Sequence, residues 1–341
     1  MKLLVTGGAG FIGSNFVQYF LREDADDSLV VLDKLTYAGN LRNLEPVSSD
    51  SRFRFVRMDV CDPAVADVVT ACNAVIHFAA ESHVDRSIES SAAFIQTNVE
   101  GSRNLMDCCR RAGISRFVTV STDEVYGSLG SEGRFTESTP LAPNSPYSAS
   151  KAAADLLALA YVRTHRFPAI ITRCSNNYGP YQFPEKFLPL MIAQAMAGKK
   201  LPVYGDGMNV RDWIHVEDHC RALDLVLRQG RVGEVYNIGG NSELPNLEVV
   251  HRLLRALGRD ENLIEFVQDR PGHDRRYAID SSKIEQELGW KRRWNFTDGL
   301  AATIQWYRDN QPWLEETRSG AYRDYFDKHY TRRTETFSTA G

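Results

Sequence analysis

The feature that most restricts the fold is a series of short, near-continuously apolar runs spaced by helix-length segments. The runs are "KLLVT" (2–6), "LVVLD" (29–33), "FRFVR" (53–57), "AVIHFA" (74–79), "RFVTVS" (116–121) and "AIITRC" (169–174). Strands covered on both faces read this way, which is the situation inside a parallel sheet. Between the runs, helix-like patterning covers 12–23, 63–72, 92–112 and 147–165. Such alternation predicts an α/β fold, a Rossmann-type doubly wound parallel sheet with helices on both faces. After residue 175 the regularity loosens. "NNYGPYQFPEKFLP" is rich in Pro, Gly and Asn, and only short strand-like pieces (201–204, 235–238) and helices (187–197, 217–228, 246–257) follow.

The first strand runs into "VTGGAGFIGSNF". Gly8, Gly10 and Gly13 match G-x-G-x-x-G, and Gly7, Gly10 and Gly13 match the wider G-x-x-G-x-x-G spacing. Glycines there permit a tight turn and bring backbone N–H groups to a pyrophosphate at a helix N-terminus. Asp33 ends the next strand twenty residues beyond Gly13. A carboxylate in that place accepts from a ribose 2′-hydroxyl and repels a 2′-phosphate, so the expected cofactor is NAD rather than NADP. Lys34, directly after it, works against that preference. Asp59 and Val60, ending the third strand, are expected at the adenine, and Ala79 and Ala80 where backbone meets cofactor. These readings predict an NAD-binding Rossmann domain over 1–175 and a smaller C-terminal α/β substrate lobe over 176–330. Some later segments are expected to cross back, and 331–341 form a polar tail.

"SPYSASKAAADLLALA" opens on Pro146 and continues as a helix. Tyr147 and Lys151 are four apart and share one helix face. A tyrosine is a poor base at neutral pH, and lowering its pKa by ~3 units takes ~4 kcal/mol. A nearby ammonium and an oxidised nicotinamide both favour the phenolate. With Ser121 and Thr122 at an intervening strand end, Tyr147 and Lys151 are expected to be catalytic.

That strand ends in "STDEVYG", which holds two neighbouring carboxylates, Asp123 and Glu124. Ser121 and Glu124 also fit a capping box, but glycines at 127, 130 and 133 leave little helix to cap. Neighbouring residues on a strand face opposite ways, so the two acids serve one site only if the backbone turns there. Two carboxyls with split pKa values suit a reaction in which one takes a proton and the other gives one. The residues by themselves do not say which acid does which.

The net charge of −4 argues against nucleic-acid and anionic-membrane partners. No apolar run approaches the ~18 residues that span a bilayer, and "MKLLVTGGAGF" breaks too early for a signal peptide. The six cysteines show no metal-like spacing and read as reduced thiols of a cytoplasmic protein. His215, His219 and Cys220 lack a third ligand at recognisable spacing, so no metal is expected. His83 is expected to pack or orient rather than react.

"TGGAGFIG", "YSASK" and "RCSNNYGP" resemble the extended short-chain dehydrogenase/reductase family acting on nucleotide sugars. Within it, "STDEVYG", "DKLTYAGN", "AAESHVDRSI", "NNYGPYQFPEKFLPL", "LPVYGDGMNVRDWIHVEDH" and "DRPGHDRRYAID" are similar to the branch of dTDP-glucose 4,6-dehydratases, from Met1 to about Tyr330. Phe187 stands where leucine is usual and Ala154 where serine is usual. The resemblance implies a hydro-lyase of deoxysugar biosynthesis that takes dTDP-glucose, uses NAD and forms homodimers through 92–112 and 147–165. It implies dehydration: once C4 of the sugar is a ketone, Glu124 as base takes the C5 proton and Asp123 as acid protonates the departing C6 hydroxyl, while Thr122 shares the sugar hydroxyl with Tyr147. Phe11, Ile12, Asp33, Lys34, Leu35, Thr36, Asp59, Val60, Ala79, Ala80, Glu81 and Thr97 would line the NAD site. Ser82, Asn176, Asn177, Lys186, Leu188, Pro202, Tyr204, Arg211, Asn246, Arg270 and His273 would hold the sugar nucleotide. Two alternatives stand beside this: a nucleotide-sugar 4-epimerase or decarboxylase on the same scaffold, which needs no acid–base pair for losing water, and a non-catalytic NAD or sugar-nucleotide sensor, which would be expected to lack Tyr147, Lys151 or the carboxylates.

Overall fold

The computed structural model describes residues 1–318; the expected tail at 331–341 lies outside them. All six apolar runs are strands: β1 (Lys2–Thr6), β2 (Ser28–Asp33), β3 (Phe53–Arg57), β4 (Ala74–His77), β5 (Arg116–Thr122) and β6 (Ala169–Cys174). Then come β7 (Asn176–Tyr178), β8 (Leu201–Tyr204), β9 (Val210–His215), β10 (Val235–Ile238), β11 (Glu243–Pro245) and β12 (Ile264–Val267). Seven of them form one parallel sheet in the order β10-β6-β5-β4-β1-β2-β3. The chain winds outward from β1 to β3 and then returns to start the other half at β4. A crevice opens where the winding reverses, at the carboxyl ends of β1 and β4.

Burial explains the apolar runs. Leu3 and Val5 of β1 face Phe16, Val17 and Phe20 of the helix Phe11–Glu23, whereas Leu4 joins Val65, Val69 and Leu105 on the opposite face. Both sides of the strand are dry, so polar alternation has no place in it.

The division at residue 175 follows the sheet only as far as β6. β10 returns to pair with β6, in register from Val235↔Ile171 to Ile238↔Cys174. The helix Val216–Gln229 buries Cys220, Leu223, Val226 and Leu227 in the first core beside Phe16 and Phe20. The second core gathers β8, β9 and the helices Phe187–Met196, Asn246–Leu257 and Phe296–Asp309 around Tyr178, Trp213 and Tyr307. Phe187 packs there, its ring centroid 6.0 Å from that of Trp213.

Two helices differ from expectation. The one expected over 63–72 is only Val65–Val69, and 92–112 is Ala92–Phe94, a π-helical stretch Ile95–Gly101, then Ser102–Ala112. Wide turns of this kind recur at functional sites, and this one carries Thr97 to the crevice. Among the described residues no helix is long and apolar enough to cross a membrane.

Candidate active site

One cavity occupies the crevice. Gly7, Gly10, Phe11, Ile12 and Gly13 line it from the turn after β1, Asp33, Lys34 and Thr36 from the end of β2, and Asp59 and Val60 from beyond β3. Ala79, Ala80 and Glu81 follow from beyond β4, and Thr97 from the π-helical stretch. Leu35 does not line it. Its N–H donates to Asp33 Oδ1 (2.8 Å) and its side chain packs on the first core.

The glycine turn leaves no room for side chains. A Cβ on Gly13 would lie 2.3 Å from the Gly7 carbonyl oxygen and 2.8 Å from Gly8 Cα. Gly7, at φ +71°, would put one 2.5 Å from the Ala79 nitrogen. The helix Phe11–Glu23 starts at Gly10 without a side-chain cap, so its first N–H groups stay available to an anion. This cradle fits a pyrophosphate. Gly13→Ala is expected to weaken NAD binding by about tenfold or more in a calorimetric titration, because the clash is with backbone that cannot swing away.

Asp33 is held by two N–H groups, from Ala9 to Oδ2 (2.9 Å) and from Leu35 to Oδ1 (2.8 Å). Lys34 does not oppose it. The Lys34 ammonium is paired with Asp59 Oδ2 at 2.6 Å, so its charge is already matched.

Tyr147 and Lys151 reach the same cavity from the helix Pro146–His165. A reciprocal cap starts this helix: Ser148 N–H donates to Ser145 Oγ (3.1 Å) and Ser145 N–H to Ser148 Oγ (3.0 Å). Lys151 Nζ donates to the Val120 carbonyl at 2.8 Å. Asn98 ties the helix to the strand end below it. Its amide donates to Ser150 Oγ (2.9 Å) and to the Glu81 carbonyl (2.9 Å), and its Oδ1 accepts from Glu81 N–H (2.8 Å). The expected lowering of the tyrosine pKa is not built into the protein alone. Burial pushes the Tyr147 phenol well above its ordinary value and the charge of Glu124 adds to that, against the hydroxyl of Thr122. Burial likewise lowers the pKa of Lys151.

β5 ends at Thr122, and residues Asp123–Tyr126 turn as a 3₁₀ helix capped by the Thr122 hydroxyl, which accepts from Glu124 N–H (3.3 Å). The cap is Thr122 rather than Ser121. This turn sends both carboxylates into one cavity, which a continued strand would forbid. Their surroundings differ. Burial, then Glu124 and Asp212, drive Asp123 well above the carboxylate range. Burial also raises Glu124, but Arg270, Lys186 and Arg211 act the other way. Both carboxyls are raised by burial, and of the two Asp123 is driven further toward the neutral acid, while Glu124 has the cationic neighbours.

The residues expected around the sugar nucleotide divide into two groups. Ser82, Asn176, Asn177 and Lys186 line the cavity. Lys186 Nζ donates to the Ser82 carbonyl at 2.5 Å. The side chain of Asn177 is used internally, Oδ1 with His219 Nδ1 (2.9 Å) and Nδ2 to the Ser175 carbonyl (3.0 Å). The remaining seven lie outside the cavity lining. Arg211 is buried over the Tyr277 ring (4.3 Å) and donates to the Asp274 carbonyl (2.9 Å). Arg270 pairs with Asp85 (3.3 Å), which also accepts from the Tyr204 hydroxyl (2.9 Å). His273 bonds Asp269 (2.6 Å) and meets Tyr204 edge-on. Pro202 precedes Tyr204 on β8, and Asn246 opens the helix Asn246–Leu257. Leu188 is fully buried in the second core, so its side chain touches no ligand; its N–H lies in the first turn of a helix, where no helical acceptor exists.

Several participants escaped the sequence reading. Glu185, Tyr37 and Phe183 line the cavity, and Glu185 pairs with Arg86 at 2.8 Å while Arg86 lies 4.1 Å above the Tyr37 ring. These three sit inside quoted motifs, but Arg86 and Glu185 are 99 residues apart and no local pattern joins them. His83, at the head of the helix Val84–Glu89, is buried with Nε2 at 3.4 Å from the Glu185 carbonyl. His215 lies against Trp294 with ring centroids 4.5 Å apart.

A family model described as GDP-mannose 4,6 dehydratase matches residues 4–303. The chain is 53% identical over 324 residues to a dTDP-glucose 4,6-dehydratase of Streptomyces niveus, covering 94% of this chain and 96% of the relative. It is 52% identical over 346 residues to a dTDP-glucose 4,6-dehydratase of Neisseria meningitidis serogroup B, covering 94% and 97%. A crystal structure of DesIV, a dTDP-glucose 4,6-dehydratase from Streptomyces venezuelae with NAD and TYD bound, matches with a TM-score of 0.91 at 54% identity. That match covers 93% of this chain and 100% of DesIV.

Proposed function

The chain belongs to the GDP-mannose 4,6-dehydratase family, and we propose that it dehydrates dTDP-glucose to dTDP-4-keto-6-deoxyglucose with NAD as cofactor. One observation carries the reading beyond the family: Asp123 and Glu124 enter one cavity beside Tyr147, Asp123 with acidic neighbours and Glu124 with three cationic ones. A 4-epimerase or decarboxylase needs no such pair, and a sensor needs none of the three.

NAD, when bound in the cradle of Gly7, Gly10 and Gly13, supplies the acceptor for hydride from C4 and the donor that returns it to C6. Tyr147 takes the C4 hydroxyl proton, with Thr122 on the same hydroxyl and the Lys151 ammonium favouring the phenolate. Glu124, whose burial is opposed by three cationic neighbours, then takes the C5 proton from the ketone. Asp123 gives its proton to the C6 hydroxyl, which leaves as water. Glu124 exchanges its proton with solvent and returns one to C5 as hydride reaches C6. At the end Tyr147 holds a proton and Asp123 lacks one, and exchange of a proton through solvent resets both.

Arg211 and Arg270 suit the diphosphate because a guanidinium offers paired donors to phosphate oxygens. Tyr204 offers a face to the pyrimidine, and Ser82, Asn176, Lys186, Asn246 and His273 supply polar contacts around the sugar nucleotide. Homodimer formation is part of this reading. It is supported by Ile95 (48% exposed) and Leu156 (57% exposed), large apolar side chains on the two segments expected to pair. A cytoplasmic setting is supported by six free thiols.

Turnover of dTDP-glucose in deuterated water, with no cofactor added beyond what the protein carries, tests the whole scheme. The expected product is a 4-keto-6-deoxy sugar carrying deuterium at C5, with no net NADH. An unlabelled C4 epimer would overturn the dehydratase reading.

A further inference from the structure

A third ionisable side chain follows Tyr147 and Lys151 on the same helix face. Asp155 lies one turn beyond Lys151, buried to 1% exposure, and its Oδ2 accepts from Arg173 Nε at 2.9 Å. Arg173, on β6, is 3% exposed. Its Nη1 donates to the Tyr126 hydroxyl (2.9 Å), its guanidinium lies 4.8 Å from that ring's centroid, and the hydroxyl donates onward to Asn237 Oδ1 of β10 (2.8 Å). Tyr126 closes the 3₁₀ turn that presents Asp123 and Glu124. A single buried ion pair therefore connects the helix of the ammonium to the turn of the acids. Such pairs are poor stabilisers, because desolvation offsets their attraction, and an apolar pair of similar size often serves stability as well. On its other side Asp155 is met by the hydroxyl of Ser121, a residue of the cavity wall, which favours its ionised form. The carboxylate is thus held between Arg173 and the wall of the site.

We propose that Asp155, gripped by Arg173, is a positioning residue that sustains the Lys151 ammonium and keeps it in register with the Asp123–Glu124 turn. The proposal rests on the assignment of Tyr147 and Lys151 to the first proton transfer. Lys151 is faced by Asp155 from its own helix, by the Val120 carbonyl of β5, by Cys174 of β6 and by His77 of β4, and it shares the cavity wall with Tyr147. His77 is neutral, its pKa pushed down to about 3 by burial and by Lys151 itself. Burial disfavours the ammonium, and Asp155 is the leading charge opposing that loss, ahead of Cys174. Removing the Asp155 charge therefore lowers the Lys151 pKa, and the ammonium is lost at a lower pH.

The test uses Asp155→Asn and the paired Asp155→Asn/Arg173→Met, which removes the carboxylate without leaving an unpaired buried cation. Two profiles are read against pH: single-turnover reduction of bound NAD on mixing with dTDP-glucose, and competitive reductive methylation of the Lys151 amine in NAD-free protein, followed by mass spectrometry. The expected result is a basic limb moved down by about one pH unit or more, with methylation starting at correspondingly lower pH and Asp155→Glu restoring most of both. A folded variant that is slower at every pH, with limb and methylation unmoved, would overturn the proposal. So would failure of both variants to fold, which would make the pair scaffold alone. If the wild-type protein does not reduce NAD with dTDP-glucose, the proposed function fails, while the methylation profile still reports whether Asp155 governs Lys151.

Discussion

Glu124→Gln stops the reaction halfway. Glutamine keeps the size of the side chain and its place on the 3₁₀ turn but cannot accept the C5 proton. Reduction of bound NAD by dTDP-glucose is expected to persist within about tenfold of wild type, because that step uses Tyr147 and Lys151. Formation of the 4-keto-6-deoxy product is expected to fall by about 10²–10⁴-fold, the range for loss of a general base. Stopped-flow absorbance of the nicotinamide separates the first step from the second, which is read by mass spectrometry of the sugar. Full turnover by the variant would show that another group takes the proton. The electrostatics give a further reason for Glu124 rather than Asp123 to be the base: three cations oppose its burial, whereas Asp123 is pushed toward the neutral acid by Glu124 and Asp212.

Tyr147→Phe should abolish the reaction at its start. Loss of the hydroxyl is expected to slow NAD reduction itself by about 10²–10⁴-fold, so neither the ketone nor the product accumulates. Stability should barely change. The ring meets Phe94 edge-on at 6.3 Å, a contact phenylalanine keeps, and the backbone bond from Tyr147 N–H to Ser87 Oγ (3.1 Å) is untouched. Thermal unfolding should therefore remain within about 0.5 kcal/mol of wild type, as for substitutions that remove no packing. A large fall in stability would instead point to a structural role for the hydroxyl. Because burial raises this phenol's pKa, the wild-type protein by itself keeps it neutral at pH 7; cofactor charge and Lys151 must favour the phenolate together.

The sequence by itself determined what is local. Apolar runs specified six strands of a parallel sheet, five of them buried on both faces where little of the strand meets water and the sixth, β3, half-buried at the sheet edge. The glycine turn, the four-residue spacing of Tyr147 and Lys151 and the adjacency of Asp123 and Glu124 were legible because each is set by backbone geometry within a few residues. Tertiary structure decided whatever joins distant segments. It brought β10 back to β6, matched Lys34 with Asp59, and gathered Asp85 with Tyr204 and Arg270 across 119 and 185 residues. It also decided protonation. The same residue types titrate differently according to how deeply they are buried and which charges face them, and burial with opposing charge arises only when separate elements pack. So the sequence named the two acids, and the packing around them gave each a different set of charged neighbours.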